Sequence, residues 1–171
     1  MIRTLIAAAI ATLPLLIPAQ GITQEGDPVT QFGTDDPVMN AAQAEARQTL
    51  ALFLSNVTDA EGFGSPGASV KVAFDVGNDG VEVIWVGPFL DQGGGQMAGL
   101  LANQPNFMGN LNAGDPVSFT QDMVRDWALS GADGLLYGHY TTRVIVPTLP
   151  AAQAAQISAL LSPAPVPAEW N

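Results

Sequence analysis

Between residues 37 and 56 the apolar positions fall at three- and four-residue steps: Met39, Ala42, Ala46, Leu50, Phe53 and Leu54. That spacing puts one stripe of a helix into a core, while Glu45, Arg47 and Gln48 lie off it. Asp36 can cap such a helix, Pro37 fits its first position, and Asp35 and Asp36 favour the positive end of the dipole. The pattern predicts an amphipathic helix over 37–56 lying across a sheet. Gly and Pro in 59–68 (DAEGFGSPGA) mark a loop. The period then becomes two. Val70, Val72, Phe74 and Val76 alternate with Ser69, Lys71, Ala73 and Asp75. Gly77-Asn78-Asp79-Gly80 tolerates the positive φ of a tight turn, and Val81, Val83 and Trp85 follow in alternation with Glu82, Ile84 and Val86. This is a hairpin. Its second strand is apolar nearly all round apart from Glu82, which predicts a central strand.

The second half is less regular. Gly93-Gly94-Gly95 marks a mobile connection, residues 96–104 suit strand or helix, and 106–115 is turn-rich. Val117 and Phe119 suggest a short strand. Met123, Val124 and Trp127 suggest a short helix or turn over 121–129, and 130–134 reads as a turn. Residues 135–146 read as the best strand of this half. Thr148-Leu149-Pro150 opens a second helix through about Leu161, before an extended Pro-rich tail. The expected fold is α+β: a curved antiparallel sheet of four to six strands, packed by the N-terminal amphipathic helix, with a short C-terminal helix. No internal repeat or second domain is evident.

The first 21 residues have the form of a secretory signal peptide. Arg3 supplies the positive n-region, Leu5 to Ile17 the apolar run, and Ala19-Gln20-Gly21 the small-x-small cleavage site, with cleavage after Ala19 as an alternative. The run is short for a membrane span and Pro14 interrupts it. The expected organisation is a signal at 1–21, a flexible leader at 22–34, one α+β domain at 35–146, and a C-terminal helix and Pro-rich tail at 147–171. The expected location is the periplasm, or outside the cell, of a bacterium.

Composition narrows the chemistry. Across 171 residues there are 16 acidic and five basic side chains, one histidine and no cysteine, with 47% hydrophobic residues. Loss of Arg3 with the signal would move the formal charge from −11 to −12. Such a chain cannot present a basic patch to nucleic acid, and its charge discourages contact with an anionic membrane. It can form neither a disulfide framework nor a thiolate metal site. Its hydrophobicity sets it apart from acidic disordered chains.

Catalytic and cofactor motifs are mostly missing. His139 is the only imidazole, so a zinc site lacks ligands. A calcium loop at Asp75 to Val86 has Gly77 at an expected ligand position and Val86 where the closing Glu belongs; a hairpin turn explains the same residues. The triple glycine lacks the Gly-Lys-Ser/Thr of a phosphate loop, and Phe63 stands where G-x-S-x-G around Ser65 needs Gly. Asp122 and Asp126 would share a helix face, as acid–base pair or solvated surface. If 135–146 is a strand, Tyr137, His139, Thr141 and Arg143 share one face and form a candidate ligand-binding row for an anionic or polar molecule. The competing reading makes Arg143 a structural partner of Asp126 or Glu82.

Several short segments taken together resemble a known family. They are Asp35-Asp36-Pro37-x-Met39-Asn40-Ala41-Ala42 with Glu45-Ala46-Arg47, Lys71-Val72-Ala73-Phe74 and Glu82-x-Ile84-Trp85-Val86. Gly114-Asp115-x-Val117, Asp126-Trp127 and Gly138-x-Tyr140-Thr141-Thr142-Arg143 complete the set. In order and spacing they resemble the bacterial domain of unknown function 2314 family, also called YegJ-like, over roughly residues 35–146. Val83 stands where that family commonly has His, and 148–171 lies outside the resemblance. The resemblance implies no activity. It implies that Glu82, Trp85, Asp126, Trp127, Thr142 and Arg143 belong to one shared arrangement, with Asp126 and Arg143 as an ion pair.

The leading expectation is a secreted, non-catalytic binding or interaction module. It would use the Tyr137–Arg143 face, or the groove beside Gly93-Gly94-Gly95, for an unknown small molecule or protein. No cofactor, metal or nucleic acid is assigned, and no membrane contact after signal cleavage. One alternative is a hydrolase-like enzyme using Asp126 or Glu82 with His139; another is a purely structural envelope protein.

Overall fold

The computed structural model describes residues 36–78 and 80–170, so the signal and leader expected for 1–34 lie outside the described residues. Helix α1 (Pro37–Val57) begins where the cap predicts it: Asp36 Oδ1 accepts from the N–H groups of Val38 and Met39 at 2.8 and 3.0 Å. The whole expected stripe is buried, with Val57 added.

Six strands follow: β1 (Ala68–Gly77), β2 (Gly80–Gly93), β3 (Gln96–Leu101), β4 (Pro116–Thr120), β5 (Val124–Ser130) and β6 (Leu136–Gly138). They form one open antiparallel sheet in the order β4-β3-β2-β1-β5-β6. Two helices end the chain, α2 (Tyr140–Ile145) and α3 (Ala151–Leu160). The architecture is α+β, as expected. The β1–β2 hairpin is in place, and Val70, Val72 and Phe74 face the core with Ile84 and Val86. Residues 96–104 resolve into β3 and the turn after it.

Two segments depart from expectation. Residues 121–129 form a single 3-10 turn (Gln121–Met123) and then β5 rather than a helix. Asp122 is therefore exposed and Asp126 fully buried, and they share no helix face. Residues 135–146 are a strand only at Leu136–Gly138; the chain then reverses and becomes α2. The reversal uses two consecutive positive φ angles, 71° at Gly138 and 52° at His139. Gly138 also allows a close approach, since a Cβ there would collide with the Trp127 carbonyl.

The polarity of β2 is inverted relative to its composition. Val81 and Val83 are 57% and 41% exposed, whereas Glu82 is buried in line with Ile84 and Val86. The strand is interior to the sheet, yet its acid points to the core side. The reason is tertiary: Glu82 Oε1 and Oε2 accept from the N–H groups of Asn106 and Phe107 at 2.6 and 2.8 Å. The carboxylate thereby ties down the turn-rich 102–115 segment, whose Met108 and Leu111 pack on the core.

Aromatic stacking joins the helix to the sheet. Phe53 of α1 stacks on Trp127 of β5 with centroids 4.7 Å apart. Trp170, near the C-terminus, lies 5.9 Å from Trp127 and 6.4 Å from Phe53. The Pro-rich tail is thus part of the body. Leu161 bridges Leu136 in parallel, Ser162 N–H donates to the Leu136 carbonyl at 2.9 Å, and Gly138 N–H donates to the Pro165 carbonyl at 2.7 Å. The tail covers the β6 edge of the sheet. Trp170→Ala is expected to cost about 2 kcal/mol, below the 3–5 kcal/mol of a fully buried tryptophan. Equilibrium urea unfolding measures it, and an unchanged midpoint would show that the tail contributes no packing energy.

Candidate functional site

The residues singled out from sequence are best followed from Asp126. This side chain has no exposed surface. An ionised carboxylate in that position costs several kcal/mol unless donors replace the lost water. Four donors do so. Oδ1 accepts from Trp127 N–H at 2.8 Å and Tyr140 N–H at 3.1 Å, and Oδ2 from Thr141 N–H at 2.7 Å and Thr141 Oγ1 at 2.6 Å. Two of these are the unsatisfied N–H groups that begin α2, so a β5 residue caps a helix fourteen residues later. A register slip brings Asp126 there. Lys71 pairs with Asp126 but Val72 pairs with Val124, so Arg125 is the extra residue of a bulge. Burial pushes the Asp126 carboxyl above its ordinary value, while its hydrogen bonds from Thr141 and Trp127 and the charge of Lys71 pull the other way.

Lys71 sits between Trp85 and Asp126 in the register of the three central strands. Its Nζ donates to Thr141 Oγ1 at 3.3 Å, which in turn donates to Asp126, and it lies 5.3 Å from the centroid of the Trp85 ring. On the same indole, 5.3 Å between centroids, rests the His139 imidazole. His139 Nδ1 is 3.2 Å from Thr142 Oγ1, the ring's one hydrogen bond among the described residues, so Nε2 has none. Burial first, then the charges of Lys71 and Arg143, lower the His139 pKa to about 4 from 6.5. The imidazole is therefore neutral near pH 7. Lys71, Trp85, His139, Thr141 and Thr142 form one polar cluster on the sheet.

The expected row of Tyr137, His139, Thr141 and Arg143 does not exist as a row, because the strand ends at Gly138. Tyr137 stays on β6 and its hydroxyl donates to Asp133 Oδ2 at 2.9 Å. His139 lies at the left-handed turn, and Thr141 turns inward to Asp126. Arg143 is a backbone clamp: Nε donates to the Gly138 carbonyl and Nη1 to the Ser162 carbonyl, both at 2.9 Å. Its Nη2 is buried without a partner among the described residues. The ion pair expected between Arg143 and Asp126 or Glu82 is not formed, because both acids spend their oxygens on N–H and O–H donors that lie closer. Trp127 is core, and its Nε1–H finds Thr49 Oγ1 of α1 at 2.9 Å. Of the positions implied as one arrangement, Trp85, Asp126, Trp127, Thr142 and Arg143 do surround the 138–143 turn. Glu82 stands apart. Sequence reasoning missed Lys71 as a member of the cluster; its cross-strand position beside Trp85 in the hairpin was the available signal.

Two concave surfaces lie elsewhere. An open apolar groove of about 480 Å³ runs over β2, β3 and β4, lined by Phe63, Pro88, Leu90, Ala98, Leu100 and Val117 among others. Gly93, Gly94 and Gly95, beside which a groove was expected, are not among its lining residues. A second depression, of about 420 Å³, lies between Arg143 and α3, with Val146, Ser158 and Leu161 on its wall. Among the described residues no group of three or more His, Cys, Asp or Glu side chains could hold a metal ion, and no helix is long and apolar enough to cross a membrane.

The uncharacterized proteins conserved in bacteria that share domain of unknown function 2314 match residues 36–159, and the chain belongs to that family. The match includes α2 and all but the last residue of α3, so the second helix is part of the family domain rather than an addition to it. No curated protein and no solved structure matches the chain.

Two outcomes test this geometry. Asp126→Ala leaves its donors without an acceptor and should cost about 3 kcal/mol or more, and Thr141→Val about half that, both read from urea midpoints. The His139 pKa is lower folded than unfolded, so the unfolded state takes the proton first as pH falls. His139 therefore contributes stability that is complete above about pH 6.5 and lost by about pH 4, by up to about 3 kcal/mol. His139→Asn keeps a residue that tolerates positive φ and should remove that part of the acid slope.

Proposed function

We propose that this protein is an exported, non-catalytic binding module that works in the periplasm or outside the cell. The Lys71–Trp85–His139–Thr142 surface is its ligand seat. The observation that carries the reading is His139 itself. A bulky side chain held at φ 52° costs about 1 kcal/mol or more where Gly or Asn would cost little. The side chain held there is the only imidazole of the chain, set against an indole and beside an ammonium, with Nε2 uncommitted. Strain of this kind gathers where a fold holds a side chain for recognition.

The hydrolase-like alternative needs a carboxylate to orient and charge the imidazole. Thr142, not Asp126 or Glu82, holds His139; Asp126 accepts four N–H and O–H donors and Glu82 is bonded to two backbone N–H groups of another segment. This favours recognition over proton transfer. The purely structural envelope alternative predicts no ligand at all.

The test is a thermal-shift screen of the chain against metabolites and cell-wall fragments, because a ligand of the native state raises its melting temperature. At least one compound class should stabilise the wild type by several degrees. The shift should be lost in Lys71→Met and His139→Asn proteins that fold. A screen in which nothing stabilises the wild type, or in which both variants respond fully, overturns the seat.

A further inference from the structure

We infer that the depression between Arg143 and α3 is a second ligand site, and that it takes a small monocarboxylic acid with an apolar body. This site does not depend on the Lys71–Trp85–His139–Thr142 seat. It starts from a guanidinium whose donors are not all used. An arginine carries five N–H donors in a fixed fork. Arg143 places one from Nε on the Gly138 carbonyl and one from Nη1 on the Ser162 carbonyl. Nη2 is buried and bonds to nothing among the described residues. A buried charged donor without an acceptor is costly, and one recognised reason for a native fold to keep it is a bound ion or ligand. The two carbonyls also leave the positive charge unbalanced. Asp126 and Glu82, the acids expected to balance it, give their oxygens to other donors.

The depression beside Arg143 is a hollow of about 420 Å³, within the range of small-molecule pockets. Val146, Pro147, Leu161 and Pro163 make most of its wall apolar. All of α3 but Gln153, Gln156 and Ser158 is Ala, Ile or Leu, yet none of its residues is buried. One occupant meets both needs. Its carboxylate accepts from Nη2, and its hydrocarbon body covers the apolar wall. A single negative charge balances a single guanidinium. A phosphate dianion would leave a charge against apolar walls, and a neutral body would leave the guanidinium unbalanced. Nη2 has no solvent contact, so the wall must yield for the acid to reach it. Ser158 and Leu161 bring α3 to that wall, and a helix that buries no side chain yields at small cost.

The test is a titration of the full chain with sodium hexanoate, followed in two-dimensional proton–nitrogen spectra that include the Arg143 Nε–H signal. Hexanamide, with the same body and no charge, and sodium phosphate are run at the same ionic strength. Hexanoate should move the Arg143 Nε–H and the amides of Ser158, Leu161 and Ser162 saturably. Hexanamide should bind about tenfold more weakly or worse. Ser158 is exposed, so Ser158→Phe narrows the depression without entering the core. That variant should keep the amide spectrum of a folded chain and lose the hexanoate response, while Lys71→Met should keep it. No saturable response to hexanoate, equal binding of hexanamide, the same shifts from phosphate, or full binding by Ser158→Phe each overturns the inference. If hexanoate instead moves the His139 signals and Lys71→Met abolishes the response, the acid sits at the other seat; that reading then stands and this one falls.

Discussion

The structure around the turn depends on a carboxylate that has lost its water. Asp126 has no solvent contact, and the cost of burying its charge is met only if nearby donors converge on it. Those donors, Tyr140 N–H and Thr141 N–H and O–H, converge only if the chain reverses after Gly138. The positive φ of His139, the start of α2 and the place of Arg143 all follow from that demand. Even Lys71 is oriented by it, through Thr141 Oγ1. In return, Asp126 satisfies N–H groups that a six-residue helix could not satisfy alone.

Glu82 solves a second problem in the same way. It is an acid on the core side of a strand, bonded by two backbone N–H groups of a loop that would otherwise be loosely held. This acidic protein thus uses two of its carboxylates as pins for irregular backbone. The cations have a different distribution. Arg143 stitches the turn to the C-terminal tail through two carbonyls, and Lys71 lies along an indole. In the polar cluster that results, Lys71, Trp85, His139 and Thr141 each touch a neighbour on another element.

Where local pattern and tertiary demand agreed, the sequence was readable. The α1 stripe, its Asp36 cap and the β1–β2 hairpin lie where periodicity and turn chemistry place them. The short motifs sufficed for the family. Where the two disagreed, it was not. Thr141, Thr142, Val144, Ile145 and Val146 have the branched side chains of a strand, yet 140–145 is helical because Asp126 caps it from another strand. Residues 124–130 carry Arg125 and Asp126 where alternation would need a cleaner pattern, because the bulge breaks the period of two. The candidate row along 135–146 failed for this reason. Its members are partly reunited by the turn, with Lys71 and Trp85 in place of Tyr137.

By itself the sequence determined the N-terminal helix, the hairpin, the α+β class and the family, since each rests on contacts among residues near in the chain or on a repeated spacing. It also determined the charge excess, 16 acidic side chains against five basic ones. Only the tertiary structure decided which acids go inside, where the second half bends, and which side chains meet around the sole histidine. Those outcomes depend on the desolvation of two carboxylates and on the distant donors that meet them. No local window of sequence contains both partners of such a bond.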